Sequence, residues 1–171
     1  MATLKIRNGI TITATLFGLC LTVNQLAFGQ NQFQTSGEKA MRAILPSTAQ
    51  CGREGGESMC ELNSPSNKRH RLLISYGPDW INADQNEISK DDESTRYTRM
   101  MADIVSKSGP FSAADVMSCI KNIQIGQIAP KIAKGAYALK CVGTYQKIGE
   151  RFEMVGIGLQ MNLNPNAMQR F

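Results

Sequence analysis

The clearest hydrophobic pattern in the chain runs from 136 to 163 and predicts two long strands. In its second half, apolar side chains at every other position from 155 to 163 alternate with glycine, glutamine and asparagine. A period of two is typical of a strand that buries one face. The first half carries its larger side chains on one face: Tyr137, Leu139, Cys141 and Tyr145. We therefore predict a hairpin, turning at 147–150, that contributes the largest part of the core.

Three segments before this hairpin have helical spacing. A short helix is expected at 37–45, where apolar residues share one face and Pro46 follows. Ser89 is expected to cap the second helix, which has an acidic first turn and an apolar stripe that recurs every three or four residues. Ser112 is expected to cap the third, which carries Cys119 near its end.

Shorter segments predict a second hairpin. Met59–Leu62 and Arg71–Tyr76 have the composition of strands, and Asn63–Asn67 between them is rich in turn residues. We expect a stapled loop or hairpin at 51–60, a loop at 77–84 and an irregular connection at 123–133. The predicted fold class is α+β, with a small antiparallel sheet of about four strands in two hairpins, covered by two or three helices.

The first 29 residues predict a secretory signal peptide. Lys5 and Arg7 precede an uncharged run from 10 to 23, and Ala27-Phe28-Gly29 provides small residues at the expected cleavage site. The apolar run of about 14 residues is shorter than the roughly 20 that cross a membrane, which disfavours an uncleaved anchor. A lipoprotein cysteine at Cys20 is also disfavoured. We expect residues 30–36 to form a flexible leader and 37–171 a single domain.

Four cysteines remain after the predicted cleavage, and an even number in an exported domain favours disulfides. The preferred pairing is Cys51 with Cys60 and Cys119 with Cys141, since each pair joins segments already expected to be neighbours. A zinc site would need more closely spaced ligands. We expect no metal and no cofactor.

Charge and composition narrow the class of partner. The chain after residue 29 contains 17 basic and 14 acidic residues, too small an excess to suggest nucleic acid. It has no Asn-x-Ser/Thr acceptor, because Asn63-Ser64 is followed by Pro65. We therefore expect a periplasmic or secreted bacterial protein, with no membrane span after cleavage and an unknown oligomeric state.

Catalytic chemistry has little support in the sequence, and no stretch resembles a known family. Nucleophilic hydrolysis would require His70, the only histidine, which lies among basic residues with no carboxylate close in sequence. A small hydrolase that acts on a cell-envelope polymer through Asp79 or Asp84 remains the alternative, because both acids lie near Trp80.

The leading hypothesis is a non-catalytic binding or accessory protein, possibly an inhibitor, that contacts another protein or a cell-envelope component. The dense basic cluster and the only tryptophan are the features expected to contact the partner. The candidate binding residues are Lys68, Arg69, His70, Arg71, Asp79 and Trp80. A third hypothesis is association with a membrane surface through Lys68, Arg69 and Arg71.

Overall fold

The computed structural model describes residues 34–67, 69–88 and 91–163. Its framework is an antiparallel sheet with these strands: β1 Gln50–Glu54, β2 Glu57–Asn63, β3 Arg71–Tyr76, β4 Trp80–Asn86, β5 Lys131–Lys134, β6 Tyr137–Ile148 and β7 Arg151–Asn162. All seven form one sheet in the order β1-β2-β3-β4-β7-β6-β5. Strands β1 to β4 form one meander and β5 to β7 form another, and the two are joined by the pairing of β4 with β7.

Three helices complete the fold: α1 over 34–44, α2 over Asp92–Ser108 and α3 over Ala113–Lys121. The Asp91 carboxylate accepts a hydrogen bond from Ser94 N at 2.6 Å and caps α2. The expected cap at Ser89 lies outside the described residues. Ser112 and Asp115 form a capping box at the start of α3, as their spacing predicts.

The prediction of about four strands in two hairpins is wrong, because the sheet has seven strands. The three additional strands lack a strong apolar period. Strands β1 and β5 are edge strands with mostly exposed side chains. The inward side chains of β4 are Ile81, Ala83 and Gln85. Because one of them is small and one is polar, the strand lacks a clear alternation of apolar and polar residues.

The broader α+β class is consistent with the structure, and the predicted C-terminal hairpin is present as β6 and β7. Ile157, Leu159 and Met161 are buried on one face of β7. Val155 departs from the expected alternation because Thr144 pairs with Gly156 and Tyr145 with Met154, which leaves Val155 as the extra residue of a β-bulge.

Helix α1 approaches the sheet at Gly37. A Cβ atom built on Gly37 would lie 1.9 Å from Tyr76 Cε1, so the helix can pack this closely only with glycine at that position. Tyr76 is fully buried, and its hydroxyl lies 2.9 Å from Ser108 Oγ of α2. Ser108 Oγ donates its own proton to the Ile104 carbonyl. The Tyr76 hydroxyl is therefore the donor to Ser108, and burial raises the pKa of Tyr76.

The two predicted disulfides are present with the preferred pairing. Cys51 bonds to Cys60 between β1 and β2, and Cys119 of α3 bonds to Cys141 of β6. The second bridge lies in the core, with both cysteines almost fully buried. Among the described residues, no helix is long and apolar enough to cross a membrane.

Candidate functional site

The predicted basic cluster lies where the chain enters β3, but the structure pairs its cations with acids. Arg69 Nη1 is 4.0 Å from Glu87 Oε1, and Arg71 Nη1 is 3.7 Å from Glu61 Oε1. Lys68 lies outside the described residues. Neighbouring carboxylates therefore balance part of the charge of Arg69 and Arg71, although both ion pairs are exposed to solvent and weak.

His70 is a core residue in the structure. Its side chain is only 2% exposed and contacts the Tyr97 ring, with centroids 4.9 Å apart. Its Nδ1 lies 3.8 Å from a Glu93 oxygen, and its Nε2 lies 3.4 Å from the amide nitrogen of Gln85. His70 therefore joins the start of β3 to α2, and it does not share a surface with its arginine neighbours.

Asp79 and Trp80 lie at the opposite end of the β3–β4 hairpin from Arg71. Gly77 N donates to the Trp80 carbonyl at 3.0 Å, which closes a tight turn. The half-buried indole covers Gly77, because a Cβ there would fall 2.1 Å from Trp80 Nε1. Strand β3 is six residues long, so roughly 17 Å separates the two ends of the hairpin.

The two ends are connected by the face of the sheet opposite the helices. Helices α1, α2 and α3 contact the face that carries Tyr76, Gln85 and Cys141. Since strand side chains alternate, their neighbours point to the other side. We call this side the open face. From β3 to β6 it comprises Arg71, Leu73, Ser75, Trp80, Asn82, Asp84, Asn86, Gly156, Gly158, Gln160, Asn162, Ala138, Lys140, Val142 and Thr144.

A polar row crosses the centre of the open face. The register places Ser75 opposite Asn82, Asn82 opposite Gln160, and Gln160 opposite Lys140. Strands lie about 4.8 Å apart, so these four side chains span roughly 14 Å. Each amide offers both donors and an acceptor. Neither Asn82 nor Gln160 is predicted from the sequence as a binding residue, although Gln160 belongs to the polar half of the predicted β7 alternation.

Asp84 lies beside this row and has an unusual position. Its partner across β7 is Gly158, and a Cβ built there would lie 2.8 Å from Asp84 Oδ1. The absence of a side chain lets the carboxylate lie down on the sheet. This partial burial raises the pKa of Asp84, while the Arg71 charge lowers it by a smaller amount. No ion pair within 4.0 Å joins Asp84 to another described residue.

The open face ends in a cleft of about 440 Å³ beside the β6–β7 hairpin. Asn86, Thr144 and Gly156 belong to both surfaces. Glu87 also lines the cleft and has a positive φ of 54°, a backbone conformation that is uncommon outside glycine and is often found near functional sites. Its carboxylate accepts a hydrogen bond from Asn67 Nδ2 at 3.0 Å. The cleft extends the polar surface beyond the edge of the open face.

The two acids proposed for hydrolysis are not brought together. Asp79 lies in the turn before β4, and Asp84 is the fifth residue of that strand. Trp80 and Asp84 are four strand residues apart, about 13 Å, and Asp79 lies in the turn beyond Trp80. Paired glycosidase carboxylates are about 5–9.5 Å apart. The described residues also contain no cluster of three or more side chains suited to a metal ion.

Comparisons with protein-family models, with curated proteins and with solved structures found no match to this chain.

Proposed function

We propose that this is an exported, non-catalytic binding protein whose open face holds another protein or a cell-envelope component. The observation that carries the proposal is the polar row of the open face together with the Asp84 carboxylate, which forms no ion pair within 4.0 Å with any other described residue. Asn and Asp are depleted in strands whereas Thr is enriched, so strand stability does not explain Asn82 and Asp84 on this face. A row of amides instead provides fixed donors and acceptors in a plane.

The chemistry of the open face indicates what its partner must present. An interface that covers Asn82 and Gln160 must satisfy their amide groups, since each unpaired buried polar group costs about 1–3 kcal/mol. Asp84 adds an acceptor already held close to the surface by Gly158. The partner must therefore present both donors and acceptors to the two amides and a donor to Asp84, and the half-buried Trp80 at the end of the same face adds an apolar contact.

Two further features support binding over catalysis in an exported protein. The predicted signal peptide and the two disulfides suit an oxidising compartment. The side chains with the best prospects for acid–base chemistry are separated, since His70 lies in the core and Asp79 lies far from Asp84. An inhibitor of an envelope enzyme is one form that such a binding protein would take.

A matched pair of substitutions tests the proposal. Asn82→Arg places a long cation in the middle of the polar row, while Asn122→Arg makes the same change at the exposed C-terminal end of α3. Each oxidised protein is immobilised and used to recover partners from a detergent extract of the cell envelope. We expect one component to bind wild type and Asn122→Arg and to be lost with Asn82→Arg. Equal recovery by all three proteins would contradict a role for the open face.

A further inference from the structure

One edge of β6 has no neighbouring strand over more than half of its length. Strand β7 pairs with residues 138–148 on one side, but β5 pairs on the other side only with residues 137–140. Cys141 N then donates to the Pro130 carbonyl at 3.0 Å, and beyond it no described residue forms a backbone hydrogen bond to this side of β6. We call residues 142–148 on this side the free edge. An unpaired strand edge is a template for pairing with another strand.

The hydrogen bond of Cys141 identifies the backbone groups that face the free edge. In an antiparallel sheet, the N–H and C=O groups of successive residues point alternately to the two neighbouring strands. Those of Gly143, Tyr145 and Lys147 therefore point away from β7, in the same direction as Cys141 N. Each of these residues offers a donor and an acceptor at the spacing that another antiparallel strand requires.

The sequence of the free edge is complementary to itself when two copies run antiparallel. A two-fold axis at Tyr145 uses the full edge and places the residues with outward backbone groups opposite one another. Lys147 is the only charged residue of the edge and would face a glycine, so no like charges are opposed. The exposed Ile148 would gain an apolar neighbour. The opposing pairs are Val142 with Ile148, Gly143 with Lys147, Thr144 with Gln146, and Tyr145 with its counterpart.

The two ends of the free edge also fit this arrangement. The strand of the second copy would end at its Ile148, because its chain then turns back towards its own β7. The pairing would therefore stop just before Pro130, which already occupies the position beside Cys141. Glu150 in the turn of the second copy would lie near Lys131 at the start of β5. An acid thus approaches a base at each end of the paired strands.

The other two strand edges of the sheet lack this complementarity. Strand β5 has four residues, and centred pairing with a second copy would place Lys131 opposite Lys134. Strand β1 has five exposed residues, and centred pairing at Gly52 would bring no two apolar side chains together. Among the described strands, the free edge of β6 is therefore the one suited to a second copy.

We propose that the free edge of β6 pairs with the same edge of a second copy to form an antiparallel, two-fold symmetric dimer. The residues with outward backbone groups would exchange two hydrogen bonds in each opposing pair. The axis of such a pair is perpendicular to the sheet, so both open faces would point to the same side. The dimer goes beyond the proposed function and does not depend on it, although it would present two polar rows to one partner.

Sedimentation velocity of the purified, oxidised protein over a range of concentrations tests the proposal. All proteins are purified as the exporting cell releases them, so that wild type and variants share one N-terminus. We expect monomers at low concentration and dimers at high concentration, because a single strand pair is smaller than the interface of a permanent dimer. The measurement needs no envelope extract, so its outcome is independent of whether the open face binds a partner.

A matched pair of variants tests the register of the dimer. Both carry Gln146→Lys, and they differ only in having Thr144→Lys or Thr144→Glu. Residue 144 of each copy would face residue 146 of the other, so the first variant opposes cations and the second forms pairs of opposite charge. We expect the first to weaken dimerisation about tenfold and the second to dimerise at least as tightly as wild type. Equal melting temperatures verify that both variants are folded.

Cysteine cross-linking tests the same register without relying on charge. Tyr145→Cys would place two thiols at opposing positions with Cα atoms about 5.5 Å apart, a distance that a disulfide spans. Gln146→Cys is the control, because the two copies of residue 146 would be diagonal neighbours about 7–8 Å apart. We expect mild oxidation to convert the Tyr145→Cys protein, and not the Gln146→Cys protein, into a covalent dimer.

A wild-type protein that stays monomeric at every concentration would overturn the proposal. So would a dimer that both charge variants form equally well, because the register would then place residues 144 and 146 apart. Cross-linking through position 146 with none through position 145 would also overturn it.

Discussion

Replacing Gly37 by alanine should destabilise the protein, although alanine is the better helix former. Helix propensity alone favours Gly37→Ala by about 1 kcal/mol. In the structure, however, the new Cβ would fall 1.9 Å from Tyr76 Cε1 and 2.4 Å from Cδ1, where ordinary contacts begin at 3.4 Å. Tyr76 is fully buried and cannot rotate into solvent. Either α1 or the Tyr76 ring must move.

The magnitude follows from the two interactions that such a movement disturbs. Overpacking a buried site costs about 1–3 kcal/mol, and weakening the buried hydrogen bond from Tyr76 to Ser108 costs a further 0.5–1.5 kcal/mol or so. After subtracting the gain of about 1 kcal/mol in helix propensity, we expect the free energy of unfolding to fall by about 2 kcal/mol. For a domain of this size, that corresponds to a fall of about 8 °C in Tm.

Thermal unfolding followed by circular dichroism measures the effect, with Lys39→Ala as the control on the exposed side of α1. The double variant Gly37→Ala, Tyr76→Leu should lose less stability than the sum of the single changes, because the smaller side chain makes room for the new methyl group. A higher Tm for Gly37→Ala than for wild type would refute the packing of α1 on Tyr76.

Three further predictions follow from the structure. His70→Ala should lower the free energy of unfolding in urea by about 2–4 kcal/mol, because it empties a buried site and removes a polar neighbour of Gln85. The control Arg69→Ala should change it by less than about 0.5 kcal/mol. Similar losses for the two variants would contradict the burial of His70. Hydrogen bonds from Lys134 and Ser112 lower the pKa of Asp115 from 3.8 to about 2. The Asp115 carboxylate therefore stabilises the fold above about pH 4, and this contribution is lost as the pH falls towards 2. We expect the difference in unfolding free energy between wild type and Asp115→Asn to shrink over that range. A constant difference would be inconsistent with these contacts. Limited reduction should open the Cys51–Cys60 bridge, in which Cys51 is exposed, before the buried Cys119–Cys141 bridge. Mass spectrometry of alkylated peptides measures the order. The reverse order would contradict the position of α3.

The sequence predicts those parts of the fold in which one apolar period dominates. Ile157, Leu159 and Met161 alternate without interruption, and the strand they predict is present. The capping box of Ser112 and Asp115 likewise acts through neighbouring residues and is visible in the sequence. These features depend on local geometry, which a pattern along the chain contains.

The strands that were missed depend on partners far away in the sequence. Strand β1 has no buried side chain, and its extended form is supported by pairing with β2 and by the turn at Gly55 and Gly56, which both have positive φ. Strand β4 is held in the sheet by pairing with both β3 and β7. Its Asn82 and Asp84 have the composition of a loop in the sequence, but they lie in the middle of the sheet.

The candidate site was predicted only in part for the same reason. The sequence singles out Arg71 and Trp80, and both prove to lie on the open face. His70 was predicted to belong to the same surface because it is adjacent to Arg71 in the sequence. In the strand, alternation turns Arg71 outward, and the turn before it buries His70 against Tyr97. Asn82 and Gln160 meet only through the pairing of β4 with β7, which no local pattern contains.

The most direct test of a binding open face is to locate its contact inside the cell envelope. A photo-crosslinking amino acid is placed at position 82 of the open face or at position 122 at the end of α3, and exporting cells are irradiated. We expect position 82 to give a discrete crosslinked adduct that position 122 does not give, and Gly158→Ala, which displaces the Asp84 carboxylate, to reduce it. An adduct at position 122 with none at position 82 would contradict the account.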